Sequence, residues 1–425
     1  MLAAADAVTP LASRLASPGG SSPGASPLAS PGASPGASAL ALHRKLVTAA
    51  VVAFAALEAA YLLRWLAGPQ EPPFDDFFGL WSFGKFATEA GAAIYHPSAL
   101  QAFQHALDPS FGDSYPYPYP PTLLLALAPL GLLPLALAYA LWICGTFGLY
   151  ALATLGREWR SRYGVALLVA PTTLLTIVSG QNGLLSAALL VGGLRCLKPS
   201  PLAGGILLGL LAYKPQFGLV VPIVLIASRQ WRAMFAACLT VMAAIAASSA
   251  AFGWSIWLDW LRTMPLYWHL LKANQAGLSH LMPTVMAGMM QLGASAQMAY
   301  AGQVVVAAAL AITVWRLVAR ALDERAIAAA IVATALASPY AFTYDMPMIA
   351  AALVIAARMR RRCDIPLHAW EIAVVLLLFA CLIGMTGQAL PLAAPVLMLI
   401  TFVTIAMTKE DRTADERGSG TALHR

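Results

Sequence analysis

The sequence predicts an all-α fold, a polytopic membrane helix bundle of about twelve spans (ten to fourteen, within two of that count). Composition is the first reason. Of 425 residues, 60% are hydrophobic and 11% charged, against roughly 25% charged in an ordinary soluble domain. Length of the apolar runs is the second, because a helix needs ~20 residues to cross ~30 Å of hydrocarbon and this chain repeats runs of about that size. The third is the distribution of basic residues described below.

The first forty residues repeat Ser-Pro-Gly-Ala, from Ser17-Pro18-Gly19 to Ser34-Pro35-Gly36-Ala37. Such a composition cannot bury a core, so residues 1–43 are expected to form a disordered cytoplasmic tail. They lack the pattern of a cleaved secretory signal, which makes the first apolar run a retained anchor. The membrane domain then covers 44–408, and 409–425 form a second cytoplasmic tail.

Span candidates fall at 46–66, 135–155, 163–179, 182–197, 201–213, 216–228, 233–251, 298–318, 326–338, 345–357, 368–386 and 389–407. Several are short, which is tolerated where the backbone is covered by protein or lines a cavity. Two apolar stretches, 122–133 and 281–293, read as half-helices or re-entrant segments. With the N-terminus inside, 21 of the 26 basic residues fall on the inner side and five (Arg64, Lys85, Lys214, Arg262, Lys272) at or near the outer face. Short cytoplasmic loops collect Lys and Arg, so this asymmetry sets the orientation.

Two outer loops, 67–121 and 252–280, are long enough to carry function. Their aromatics, Phe77, Trp81, Phe83 and Phe86 in one and Trp254, Trp257, Trp260 and Tyr267 in the other, suit short amphipathic helices on the outer interface. The net charge of +7 follows from topology, since no basic stretch has the signature of a nucleic-acid binder. The five cysteines lie far apart without metal-ligand spacing and read as core residues.

Polar residues cluster in short blocks on the outer face. Asp75 and Asp76 stand among aromatics, where desolvation raises a carboxyl pKa and suits it to act as a general base; the alternative is a helix N-cap. Tyr115-Pro116-Tyr117-Pro118-Tyr119-Pro120-Pro121 is a stiff aromatic strap that either holds a sugar face or anchors the interface. Gly180-Gln181-Asn182-Gly183 joins two spans, and Tyr213-Lys214-Pro215-Gln216 turns a short hairpin. There the Lys214 ammonium sits below the headgroups, which is costly unless it binds an anion such as a lipid-linked phosphate, forms a pair, or snorkels. Ser338-Pro339-Tyr340 leads to Tyr344-Asp345, where Asp345 is either a second acid or a cap.

Taken in order, Asp76-Phe77, Ile94-Tyr95, Tyr119-Pro120-Pro121, Gly180-Gln181-Asn182, Pro201-Leu202-Ala203-Gly204 with Gly209-Leu210, Lys214-Pro215-Gln216 and Ser338-Pro339 resemble glycosyltransferase family 87 over roughly residues 70–350. The resemblance implies a fold of the GT-C superfamily, with an outer-face site under a first loop that carries the catalytic Asp. It implies inverting transfer of a hexose, mannose in the related enzymes, from a polyprenyl-phosphate-linked donor to an extracytoplasmic glycan or glycolipid, with no cofactor and no obligatory metal. The setting implied is the bacterial inner membrane, with membrane lipids around the bundle and no nucleic-acid partner. Relatives place a His shortly after the Ser-Pro motif, where this chain has Tyr344-Asp345. That departure weakens mannose as the sugar.

On this reading Asp76 is the base and Asp75 the runner-up. Lys214 binds the donor phosphate, with Gln216 and Gln181 as neutral donors. Tyr117, Tyr119, Asn182, Tyr340, Tyr344 and Asp345 contact substrate. A secondary transporter or lipid flippase would also show broken helices beside polar groups, but no internal repeat relates the two halves.

Overall fold

A computed structural model describes residues 75–109, 116–273, 279–384 and 390–408, with isolated helical positions between 45 and 60. The proposed first span at 46–66 therefore lies outside the described residues apart from those positions, as do both tails and Tyr115. Every regular element among the described residues is helical. The longer helices are α1 (Asp75–Ala90), α2 (Pro97–Leu107), α3 (Leu124–Gly131), α4 (Leu135–Leu155), α5 (Arg162–Leu168), α6 (Pro171–Ser179) and α7 (Gly183–Cys196). They continue as α8 (Pro201–Leu210), α9 (Val221–Ala227), α10 (Trp231–Phe252), α11 (Ile256–Ala273), α12 (Val285–Gln291) and α13 (Ala296–Arg320). The last four are α14 (Glu324–Ala337), α15 (Pro347–Arg362), α16 (Ala369–Gly384) and α17 (Ala393–Met407).

Three to four of the expected spans stand out among the described residues. Among the described residues, α4 with its following turn, α10 and α13 are long and apolar enough to cross a membrane alone. A fourth span results if α5 and α6, bent by 52° at their break, are taken together. The break follows from Pro171, which opens α6 and prevents the preceding helix from running on. Other expected spans, including 182–197, 201–213 and 216–228, are helices too short to cross unaided.

The short helices α7 and α14 are held in the interior, whereas α8 and α9 leave Leu202, Ile206, Leu210 and Ile226 at the surface. In α14, every residue from Ala326 to Ala337 is buried, as expected of a helix that is apolar all round. Asp323 caps its N-terminus by accepting the Ala326 N–H at 2.7 Å. Helices in a bilayer gain little from hydrophobicity alone and associate through close packing of small residues. The family-like glycines of α8 serve that purpose: a Cβ on Gly204 would lie 2.9 Å from the Gly193 carbonyl oxygen in α7, and one on Gly209 2.7 Å from the Ala237 carbonyl oxygen in α10.

Within the loop 67–121, the helix α1 departs from its expected interfacial position, while α2 keeps Ser98, Gln101, Ala102 and Ala106 at the surface. Along α1, Phe77, Phe78, Leu80, Phe83 and Phe86 are buried in the main core, and the Trp81 indole donates to the Leu133 carbonyl at 2.9 Å. An aromatic on nearly every turn face is too much apolar area for one flat interface, so the helix goes inside. In α11, Thr263 donates to the Tyr95 carbonyl at 3.2 Å, which ties the second outer loop to the first. At the opposite end, Arg195 donates to the Ala153 carbonyl at 2.8 Å and Arg358 pairs with Glu158 at 2.9 Å. Cations there complement the C-terminal dipole of α4.

Candidate active site

Four chain breaks place the polar blocks together, and each break is written in proline or glycine. Lys214 precedes Pro215 and is forced out of the helical region, to φ −123° and ψ 77°. Its side chain is thereby turned into the bundle between the short 3-10 turns Leu211–Tyr213 and Pro215–Leu219. Pro120 adopts an extended conformation at φ −54° and ψ 152°, which ends the strap and presents Tyr119. Gly180 closes α6 with φ +71°, a left-handed cap open to glycine, and a Cβ there would lie 2.4 Å from Phe77 Cβ in α1. Gly183 lets the start of α7 meet the segment before α15 so closely that a Cβ would overlap the Tyr344 carbonyl oxygen.

At the meeting point, Lys214 Nζ and Asp345 Oδ1 are 2.5 Å apart, with 2% and 1% of their side chains exposed. The other Asp345 oxygen accepts the Phe342 N–H at 3.2 Å. Asp345 thus ends the 3-10 turn Thr343–Asp345 and neutralises the lysine, while Met346 and Pro347 open α15. The ammonium lies 5.2 Å from the centre of the Tyr344 ring, 5.7 Å from Phe217 and 5.9 Å from Tyr119. Those faces stabilise a cation withdrawn from water. An ammonium has three N–H donors, and Asp345 engages one side of it.

Asn182 is fully buried, and among the described residues the Tyr119 hydroxyl beside it is the one group that approaches its amide, without the distance and angle of a full hydrogen bond. Among the same residues, Gln181 Oε1 is buried without a partner. Buried amides in native proteins are otherwise almost always bonded. Burial pushes the Tyr119 and Tyr344 phenols above their ordinary range, the Asp345 carboxylate adding to the first and the Tyr119 phenol to the second. Both remain neutral O–H donors at neutral pH.

Asp76 is partly buried in the first turn of α1 and close enough to Tyr344 to bear on its phenol. Asp75 opens the same helix, and its side chain lies outside the described residues. The first turn of a helix favours a carboxylate, so both the cap and the base readings draw on the same position. Gln216 is half-buried in the turn after Lys214. Tyr117 stands one layer back: its hydroxyl donates to the Pro120 carbonyl at 3.1 Å and its ring packs on Phe83, Tyr95 and Tyr119. Tyr340 shares a 2.6 Å hydrogen bond with Tyr300, and Ser338 holds that turn by accepting the Tyr340 N–H at 3.2 Å.

Three residues with no expected role belong to this surround. Tyr213 bonds Ser186 at 2.7 Å and donates to the Asn182 carbonyl at 3.3 Å, which fixes the backbone of Asn182. Tyr267 of α11 lies near Tyr119, Tyr340 and Tyr344. Tyr95 donates to the Tyr119 carbonyl at 2.7 Å. The signal for Tyr213 was its adjacency to Lys214, but no spacing in the sequence relates Tyr267 to the other blocks.

An apolar bundle of broken helices that gathers a buried ion pair, amides and phenols at one place defines an integral membrane protein with a polar ligand site. The family model for glycosyltransferase family 87 matches residues 117–339, more than half of the chain. The chain belongs to that family and is a glycosyltransferase. No curated protein matches it. No solved structure matches it either. The family match includes Tyr119, Asn182 and Lys214 and leaves Asp75, Asp76, Tyr340, Tyr344 and Asp345 outside.

Proposed function

We propose that the chain transfers a hexose, mannose in the first instance, with inversion from a polyprenyl-phosphate-linked donor to a glycan or glycolipid on the extracytoplasmic side of the bacterial inner membrane. The observation that carries this reading is the convergence of the Lys214 ammonium, the buried Asn182 amide and the Asp76 carboxylate around the Tyr119 and Tyr344 phenols.

A polyprenyl phosphate is already a good leaving group, so the reaction needs a base and a cation more than an acid. Asp76 accepts the proton of the acceptor hydroxyl as its oxygen bonds to the anomeric carbon. The bond from that carbon to the phosphate oxygen breaks on the opposite face, through an oxocarbenium-like transition state. Its electron pair leaves with the polyprenyl phosphate. Lys214 holds that phosphate with Gln181 and Gln216, sharing its donors with Asp345. Asn182, Tyr119, Tyr344 and Tyr340 bond sugar hydroxyls, and Tyr117 supports Tyr119 from behind.

Membranes containing the full chain, supplied with radiolabelled polyprenyl-phosphate-mannose, are expected to release labelled glycan and free carrier phosphate in equal amounts. Absence of release with this and other polyprenyl-phosphate sugars would overturn the donor class. Asn182 gives a separate check. Asn182→Leu removes an amide whose approach among the described residues is to the Tyr119 hydroxyl alone, so thermal stability should change little. Transfer kcat/KM should fall roughly tenfold to a hundredfold, the value of a hydrogen bond to a charged or polar substrate group in a buried site. A stable variant with unchanged kinetics would remove Asn182 from the substrate contacts.

A further inference from the structure

The basic end of the bundle contains a cavity of about 180 Å³ that the transfer chemistry does not use. Its walls are apolar, built from Leu353, Val354 and Ala357 of α15, Val375 and Phe379 of α16 and Ile405 of α17. Helix α15 runs from Pro347, beside Asp345, to the arginines at its other end. A rise of 1.5 Å per residue puts Arg360 roughly 20 Å from the Lys214 site along that axis. The cavity is therefore a separate place.

Its polar mouth is only half satisfied. Arg360 and Glu371, both in the lining, form a two-point ion pair with 2.7 Å contacts, and Arg360 also donates to Thr408 at 3.2 Å. That pair is complete and close to neutral. Tyr163, also in the lining, is 6% exposed, yet its buried hydroxyl has no hydrogen-bond partner among the described residues. Arg162 lies over the Tyr163 ring at 5.2 Å, and one of its terminal nitrogens is buried without a partner as well. Tyr163 in the cavity wall, and Arg162, which packs on the Tyr163 ring outside that wall, thus each keep a donor withheld from water. Buried donors are normally bonded, and these have an acceptor to find. Among the described residues, Arg157, Arg160 and Arg361 at the same end also have no carboxylate partner.

We infer that this cavity binds an anionic glycerophospholipid of the leaflet at the basic end, the cytoplasmic leaflet in the proposed orientation. Part of one acyl chain occupies the apolar cavity. The phosphodiester accepts from the Tyr163 hydroxyl and the Arg162 guanidinium. An arginine fork and one hydroxyl match the single charge and two free oxygens of a phosphodiester, and the surplus arginines favour a net-negative headgroup over a zwitterionic one. The site does not depend on the identity of the sugar donor.

The test is native mass spectrometry of the full chain in detergent, with phosphatidylglycerol, phosphatidylcholine and undecaprenyl phosphate added at equal concentration. One phosphatidylglycerol is expected to remain bound, with about a tenfold preference over phosphatidylcholine, as one charge-assisted contact would give. Arg162→Gln with Tyr163→Phe should erase that preference while thermal unfolding without lipid stays near wild type. Equal retention of the two phospholipids by the wild-type chain, displacement of phosphatidylglycerol by undecaprenyl phosphate, or an unchanged preference in the double variant would each overturn the assignment. The wild-type comparison decides even if the variant fails to fold.

Discussion

Replacing Asp76 with asparagine is expected to lower transfer from a polyprenyl-phosphate sugar by roughly 10²- to 10⁴-fold, the range a general base contributes. The shape of the side chain is kept and its place in the first turn of α1 is unchanged, so the loss falls on kcat and thermal stability moves little. Asp75→Asn should leave turnover near wild type. Asp76 bears electrostatically on Tyr344, and the Asp75 side chain lies outside the described residues. Parallel assays of labelled glycan release settle it. An active Asp76→Asn variant would remove the residue from the chemistry, and an inactive Asp75→Asn with an active Asp76→Asn would exchange their roles.

The second large effect concerns the pair of Lys214 and Asp345. Lys214→Met leaves a carboxylate with 1% exposure facing no cation. Breaking such a pair from one side costs about 3–5 kcal/mol, because the remaining charge is stranded. Transfer should also fall by roughly 10²- to 10³-fold, as it does when a group stabilising developing anionic charge is removed. The double variant Lys214→Met with Asp345→Asn separates these effects. Asparagine can still accept the Phe342 N–H that Asp345 now accepts at 3.2 Å, so folding should recover. Activity should not, since no cation remains for the phosphate. Thermal unfolding in detergent reads the first quantity and label transfer the second. Recovery of both would mean that the ammonium only balances Asp345.

That pair also shows how far local sequence could go. Lys214 was legible as a costly cation in a short apolar hairpin, with an anion, a pair or snorkelling as its possible compensations. Asp345 was legible as an acid or a cap. Nothing in a separation of 131 residues says that each answers the other, because contact between distant segments depends on how helices pack. The aromatics of α1 were read in the same way. Their number identified an apolar surface, but the close approach of Gly84 and Gly131, which seats α1 against α3 within the core, is a property of two helices together.

Sequence by itself determined that this is a helical membrane protein and which polar residues stand near the ends of its helices; the break before Pro171 inside the expected span 163–179 came from the structure. The sequence also carried the ordered motifs of a glycosyltransferase family. These are short-range properties: hydrophobic run length answers to bilayer thickness, and proline and glycine act on their own backbone. Tertiary structure decided that α1 goes inside, that Lys214 is neutralised by Asp345, and that Tyr267 stands near Tyr119, Tyr340 and Tyr344. Those outcomes depend on side chains from far-apart segments competing for the same interior volume, where a charge must find its partner in space rather than in sequence.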